Sequence, residues 1–250
     1  MFGNLWSNYF GCLPGEGDIS SDPMFRDSKL NDFHLSDVSP CLSAAKLDEN
    51  TPATDLEGKL RPNPPYSCAD MGAYENTTGT GDLLLTISAS TGGTSTPLPG
   101  YYDCCEESMV GVEAFPDEYY LFLEWTGDVP PENKENKYFN LTMDFNKSIA
   151  ANFKLIHPPL NVAGHKVINE SLSQIEYINI LTWEANPNND NQEAHHIYVS
   201  EWGQMELLAY VSKGEHEFIH RKVDLNRTYT YAVVAIIGER LGIPANVTVK

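Results

Sequence analysis

Residues Ser108–Asp128 read SMVGVEAFPDEYYLFLEWTGD. Val110, Val112 and Ala114 occupy alternate positions, and so do Leu121, Leu123 and Trp125. Successive side chains of a strand point to opposite faces, so each set falls on one face of a sheet. Between them, FPDEYY supplies the proline and aspartate that favour a turn. The stretch is therefore strand, turn, strand. The same punctuation recurs about every ten residues along the chain, and long apolar patterns of helical period are missing. The expected fold class is all-β.

A chain of 250 residues is long enough for two or three domains. It is strongly acidic, with 35 Asp and Glu against 16 Lys and Arg. The excess is spread along the chain and no block is basic. Phosphate-directed nucleic-acid binding lacks its electrostatic footprint, and an anionic membrane surface is disfavoured for the same reason. No apolar run approaches the ~18 residues of a membrane span, so membrane insertion is not expected. The start, MFGNLWSNYFGCLPGEGD, has no basic segment followed by an apolar core and is not a signal peptide. The expectation is a cytosolic chain or one that lacks its true beginning.

Five cysteines are present, Cys12, Cys41, Cys68, Cys104 and Cys105, without zinc-ligand spacing. Cys41 and Cys68 either bridge a loop or stand as two buried thiols, and the spacing leaves both open. Cys104 and Cys105 are neighbours, which rarely bridge each other.

Three segments follow from the punctuation. In residues 1–76, GDISSDPMF, NDFHLSDVSPCLSAA, TDLEGKLRP and CADMGAYE occur in that order. They resemble the last coils and cap of a bacterial right-handed parallel β-helix of the pectin-lyase-like, choice-of-anchor type. Such coils bury a core only when stacked. The resemblance therefore implies upstream coils, or a partner chain, at the N-terminal end. After a small polar linker, residues 82–154 carry GGT, then A-x-P-D-x-x-Y-x-F-x-x-W-x-G, then M-D-x-N-K-S-I-x-A-N-F. These motifs resemble the internalin B-repeat-related module, which implies a small β-grasp-like unit. Cys104 and Cys105 stand where that family has polar residues, and Glu118 stands where it has glycine. Residues 158–250 hold seven strand-like runs, the count of an immunoglobulin-like sandwich. Pro159, Trp183 and LNRTYTYAVVA resemble fibronectin type III. That likeness implies a core Trp183, a Tyr229 hydroxyl tied to backbone at the sandwich corner, and Leu225, Val233 and Ala235 on the same strand pattern.

Candidate chemistry is sparse. Asp55, Glu57 and Asp70 are candidate calcium ligands, but they match no calcium loop and read first as turn carboxylates that hydrogen-bond nearby backbone. Arg61 reads as a buried ion-pair partner and not as a lyase base. His34 sits in the cap motif and reads as structural. His195 and His196 are adjacent, so on a strand they face opposite ways and one is expected at the surface. His216 and His220 are four apart and on a helix could face one metal, but the stretch reads as strand, where the pairing fails. Trp202, Tyr102 and Tyr120 are candidate glycan contacts, because sugars stack on flat rings. No nucleophile, phosphate-loop, metalloprotease or dinucleotide motif occurs.

The expected protein is the C-terminal part of a secreted or cell-surface bacterial protein. Its modules act without catalysis as spacer and binding or adhesion unit toward a surface glycan or protein. No cofactor is expected beyond calcium. The alternative is the accessory region of a polysaccharide lyase or glycoside hydrolase whose catalytic coils lie upstream.

Overall fold

A computed structural model describes residues 17–47, 50–171, 174–189, 194–200 and 203–250. The fold is all-β, and the helical elements among the described residues are two short 3-10 turns, Ser28–Leu30 and Pro131–Asn133. The chain divides into two compact units. The first takes the described residues up to Ala89, with Ser95–Ala114 and Glu124–Ala151. The second takes Ser90–Thr94, Phe115–Leu123 and the described residues from Asn152 to Lys250.

Strands β1 (Phe25–Asp27) and β2 (Asp32–Leu35) form an antiparallel hairpin. The Asp27 carboxylate caps the intervening 3-10 turn by accepting from Lys29 and Leu30 N–H. Isolated bridges join Ala45 to Ala69 and Thr54 to Leu60, both antiparallel. Among the described residues up to 76, no pairing has the parallel sense of stacked β-helix coils.

The middle segment supplies seven strands: β3 (Leu83–Ala89), β4 (Gly93–Thr96), β5 (Gly100–Cys104), β6 (Met109–Pro116), β7 (Tyr120–Gly127), β8 (Tyr138–Thr142) and β9 (Lys147–Leu155). One sheet runs β5-β3-β9-β7 and the other β4-β6-β8. The first and last strands, β3 and β9, pair in parallel from Leu85↔Lys147 to Ala89↔Ala151. Val110, Val112 and Ala114 are all buried, as alternation requires. The second alternating set splits: Trp125 is buried, whereas Leu123 is 48% exposed. Strand β7 ends at Gly127, whose φ of +92° suits glycine. A Cβ there would meet the Ser148 carbonyl oxygen at 2.1 Å. Trp125, Phe139, Leu141, Met143 and Ile149 lie in the core of the first unit.

The C-terminal segment is a two-sheet sandwich. One sheet is β10 (Leu160–Ser171), β11 (Gln174–Glu184) and β14 (Glu217–His220). The other orders β13 (Glu206–Ser212), β12 (Ala194–Ser200) and β15 (Tyr229–Ile237), with β16 (Arg240–Leu241) and β17 (Ala245–Val249) both on β15. The seven expected runs are all strands, and β16 is an addition. Leu181, Trp183, Ile197, Tyr229, Tyr231, Val233 and Val249 form the core between the sheets. Tyr229 Oη accepts from Asp224 N–H at 2.9 Å, the bond of a tyrosine corner. The core position ahead of that corner is filled by Val223 at 5% exposure, while Leu225 is 49% exposed. The sequence reading therefore chose the wrong member of that pair. Six residues separate Val223 from Tyr229, and the intervening turn leaves Leu225 facing solvent.

The sandwich core also holds polar groups. Asn179 Nδ2 donates to Tyr231 Oη at 2.7 Å, and His220 Nδ1 lies 2.8 Å from the same oxygen. The strand β14 thus spends His220 on the core network. His195 is fully buried, 5.2 Å from the Trp183 ring and 6.2 Å from that of His216. Its neighbour His196 faces the other way and is half-buried, edge-on to Tyr210.

Burial, with His216 nearby, pushes His195 down to about 4. The unfolded chain takes up a proton here as pH falls below about 6.5, whereas the folded sandwich does not until about 4. This contribution is complete above the window, is lost as pH falls through it, and stops changing below it. The shift is worth about 2 kcal/mol after solvent screening. Urea unfolding of the chain and of His195→Gln at pH 7 and 4.5 measures it. The variant should lose about 2 kcal/mol less on acidification. Equal losses would mean that His195 is not the group responsible.

Candidate functional site

A polar cluster lies in the first unit around His34. Strand β2 places Asp32 and His34 on one side of the hairpin. The Asp32 carboxylate lies 2.6 Å from His34 Nδ1, and Glu57 lies 3.2 Å from its Nε2. Tyr74 stacks on the imidazole with ring centres 4.0 Å apart. Lys59 pairs with Glu57 at 3.0 Å. The hydrogen bonds to Asp32 and Glu57 hold the imidazole above its ordinary range. With both ring nitrogens facing carboxylates, the imidazolium is the favoured form. That arrangement leaves no ring nitrogen to accept a proton from a substrate. The cluster lines a 330 Å³ cavity with Arg26 and Asn76.

The candidate calcium ligands are distributed differently. Asp55 accepts from the N–H groups of Glu57 (2.8 Å), Lys59 (2.9 Å) and Glu75 (2.9 Å). Burial raises its pKa, but those three donors outweigh it and hold the carboxyl below its usual range. Asp70 accepts from Ser43 and Asn76 N–H at 2.8 and 2.7 Å. Glu57 faces His34 and Lys59. The three carboxylates thus bind backbone and side-chain donors, some in their own turns and others, such as Ser43, Glu75 and His34, from distant parts of the segment. Arg61 Nε lies 3.1 Å from the fully buried Glu75, and its Nη2 donates to the Gly72 carbonyl at 3.0 Å. Burial pushes the Glu75 carboxyl up, and a charged partner beside it limits the cost.

Cys68 is joined to Cys105, which is 37 residues further along the chain, and not to Cys41. Cys41 and Cys104 are buried free thiols. Burial raises Cys104 to about 11, so it stays protonated and unreactive. Asp82 lies 3.7 Å from Cys68 Sγ, and with Cys105 the three form the one group of metal-type donors among the described residues. The two sulfurs bond each other and are not ligands. The sequence could not name this pairing, because spacing alone does not fix disulfide partners.

The candidate glycan rings are scattered. Trp202 lies outside the described residues. Tyr102 is half-buried, with its hydroxyl donating to the Leu98 carbonyl at 2.6 Å. Tyr120 is half-buried, and its ring occupies the space a Gly92 Cβ would need. Among the described residues the most exposed tyrosine rings are Tyr101 and Tyr210, 78% and 71% exposed, followed by Tyr138 at 58%. Strand alternation makes Tyr101 the outward member of its pair with Tyr102.

Comparison with solved structures gives likenesses of low score. The FN1-FN3 domains of chicken CNTN1 align at 10% identity over 67% of this chain and 68% of that one, with a TM-score of 0.32. Pectate lyase Pel3 from Pectobacterium carotovorum aligns at 13% identity over 35% of this chain, with a TM-score of 0.23. The chain spans a quarter of that lyase's length, 25%. A computationally redesigned β-sandwich protein aligns at 15% identity over 38% of this chain and 88% of that one, with a TM-score of 0.30. No curated protein matches the chain. Residues 83–157 match one family, described as the divergent InlB B-repeat domain.

Proposed function

We propose that this chain comprises non-catalytic modules of an extracellular or cell-surface bacterial protein, acting as spacer and binding unit toward surface glycans. The observation that carries this reading is the match of residues 83–157 to the divergent InlB B-repeat domain. The Cys68–Cys105 disulfide supports it, because such bonds persist in oxidising compartments outside the cytosol. The structural use of Asp55, Asp70, Arg61 and Glu75, and the double pairing of His34, favour a scaffold over a reaction centre.

The likeness of residues 1–76 to a β-helix cap favours a second reading, an accessory region of a polysaccharide-cleaving enzyme. One experiment tests whether this chain binds polysaccharide and whether it cleaves it. The purified chain is incubated with insoluble cell-wall polysaccharide, and bound protein and released sugar are both measured. Co-sedimentation without released reducing ends is expected. Release of reducing or unsaturated ends would overturn the non-catalytic reading.

A further inference from the structure

Strand β15 is buried on both faces over its middle residues. Tyr229, Tyr231, Val233 and Ala235 face the sandwich core, yet Ala232 and Val234, on the opposite face, are each only 3% exposed. They form part of the lining of a 390 Å³ cavity within the second unit. That volume lies in the ~300–1,000 Å³ range of small-ligand sites. Tyr198, Ala232 and Asn246 make one cross-strand row along its sheet side. Glu118 and Tyr119 line it from the turn after β6.

That turn is held firmly. Tyr119 has φ of +66°, a backbone state costly for an aromatic residue and kept only where surroundings enforce it. Arg240 Nε donates to the Tyr120 carbonyl at 2.9 Å, and its Nη2 donates to the carbonyls of Pro116 (3.1 Å) and Asp117. Ile156 N–H donates to the Tyr119 carbonyl at 2.8 Å. The guanidinium is thus spent on the backbone, and the turn presents Glu118 and Tyr119 in a fixed position. Glu118 stands where the resembling repeat has glycine, so this side chain is particular to the cavity of this chain.

We propose that the cavity binds an uncharged pyranose unit of a glycan. A pyranose chair has an apolar C–H face and a rim of hydroxyls. The tyrosine rings with Ala232 and Val234 match the face, and the Glu118 carboxylate and Asn246 carboxamide match the rim. Among the described lining residues Glu118 carries the only charge, and the chain's net charge is −19. An anionic sugar would meet repulsion, and the nearby Arg240 guanidinium is engaged on the turn carbonyls and is not among the lining residues.

This inference rests on the glycan-binding role proposed above. The test is native electrophoresis of the full chain in gels cast with glucomannan or xyloglucan, both neutral, or with polygalacturonate. A neutral polymer should retard the chain and polygalacturonate should not. Tyr198→Ala should weaken retardation about ten-fold. Asn246→Ala, on an edge strand, should weaken it several-fold and guards against misfolding of the first variant. Tyr101→Ala, in the first unit, should change nothing. Retardation lost in Tyr101→Ala but kept in the other two would overturn the cavity while leaving the glycan-binding role standing. No retardation by any polymer would overturn both the cavity and the glycan partner. Perturbation of the Tyr198 ring resonances by a proline-rich peptide alone would overturn the sugar and assign the cavity to a protein.

Discussion

Replacing Cys68 and Cys105 together with serine is expected to cost the first unit about 4 kcal/mol of stability. The two residues are 37 apart, so the bond closes a long loop in the unfolded chain and removes much of its freedom. In the chain-entropy account that restriction, not a native contact, carries the effect. The native positions are also fixed without the bond. Cys68 N–H donates to the Thr80 carbonyl at 3.1 Å and Cys105 N–H to the Tyr66 carbonyl at 2.9 Å. The double variant should therefore keep its fold and lower its urea midpoint without a large change in cooperativity. A midpoint within the error of the parent chain would refute the assigned role of this bond. The reduced parent chain should behave as the double variant does.

Trp125→Ala should cost a similar amount, about 4 kcal/mol, through a different term. The ring is fully buried and meets Phe139 edge-on at 5.9 Å. Its Nε1 donates to the Asn136 carbonyl at 3.1 Å. Truncation leaves a cavity and removes that donor together. Trp125→Phe keeps most of the packing and loses the donor, so a cost of about 1–2 kcal/mol is expected. Chemical denaturation of the three chains orders them. A Trp125→Ala cost below about 1 kcal/mol would show that the site collapses around the smaller side chain.

Alternation was enough to reveal the strands, because each sheet buries one face more than the other. It put Val110, Val112 and Ala114 on one face, which the structure buries, while apolar runs between turn residues marked the seven strands of the sandwich. It failed where a position depends on what covers the strand. Leu123 shares parity with Trp125, yet it is half exposed while Trp125 is buried. Leu225 and Val223 also share parity, and only the geometry of the tyrosine corner separates them. The adjacent His195 and His196 told the faces apart but not which face was core. The polar network of Asn179, Tyr231 and His220 joins three strands distant in sequence and left no local signal.

The candidate site was less legible still. Turn carboxylates and calcium ligands use the same residues, and only the backbone donors around Asp55 and Asp70 distinguish them. The cavity beside β15 does have a sequence trace. YAVVA, Tyr231–Ala235, is a continuous apolar run and not an alternating one, which is the mark of a strand buried on both faces.

The central claim, that these modules work outside the cell, is tested most directly by labelling intact cells of the source with an antibody to this chain. Labelling equal to that of permeabilised cells, and lost after brief protease treatment of intact cells, is predicted. Labelling that appears only after permeabilisation would contradict the account.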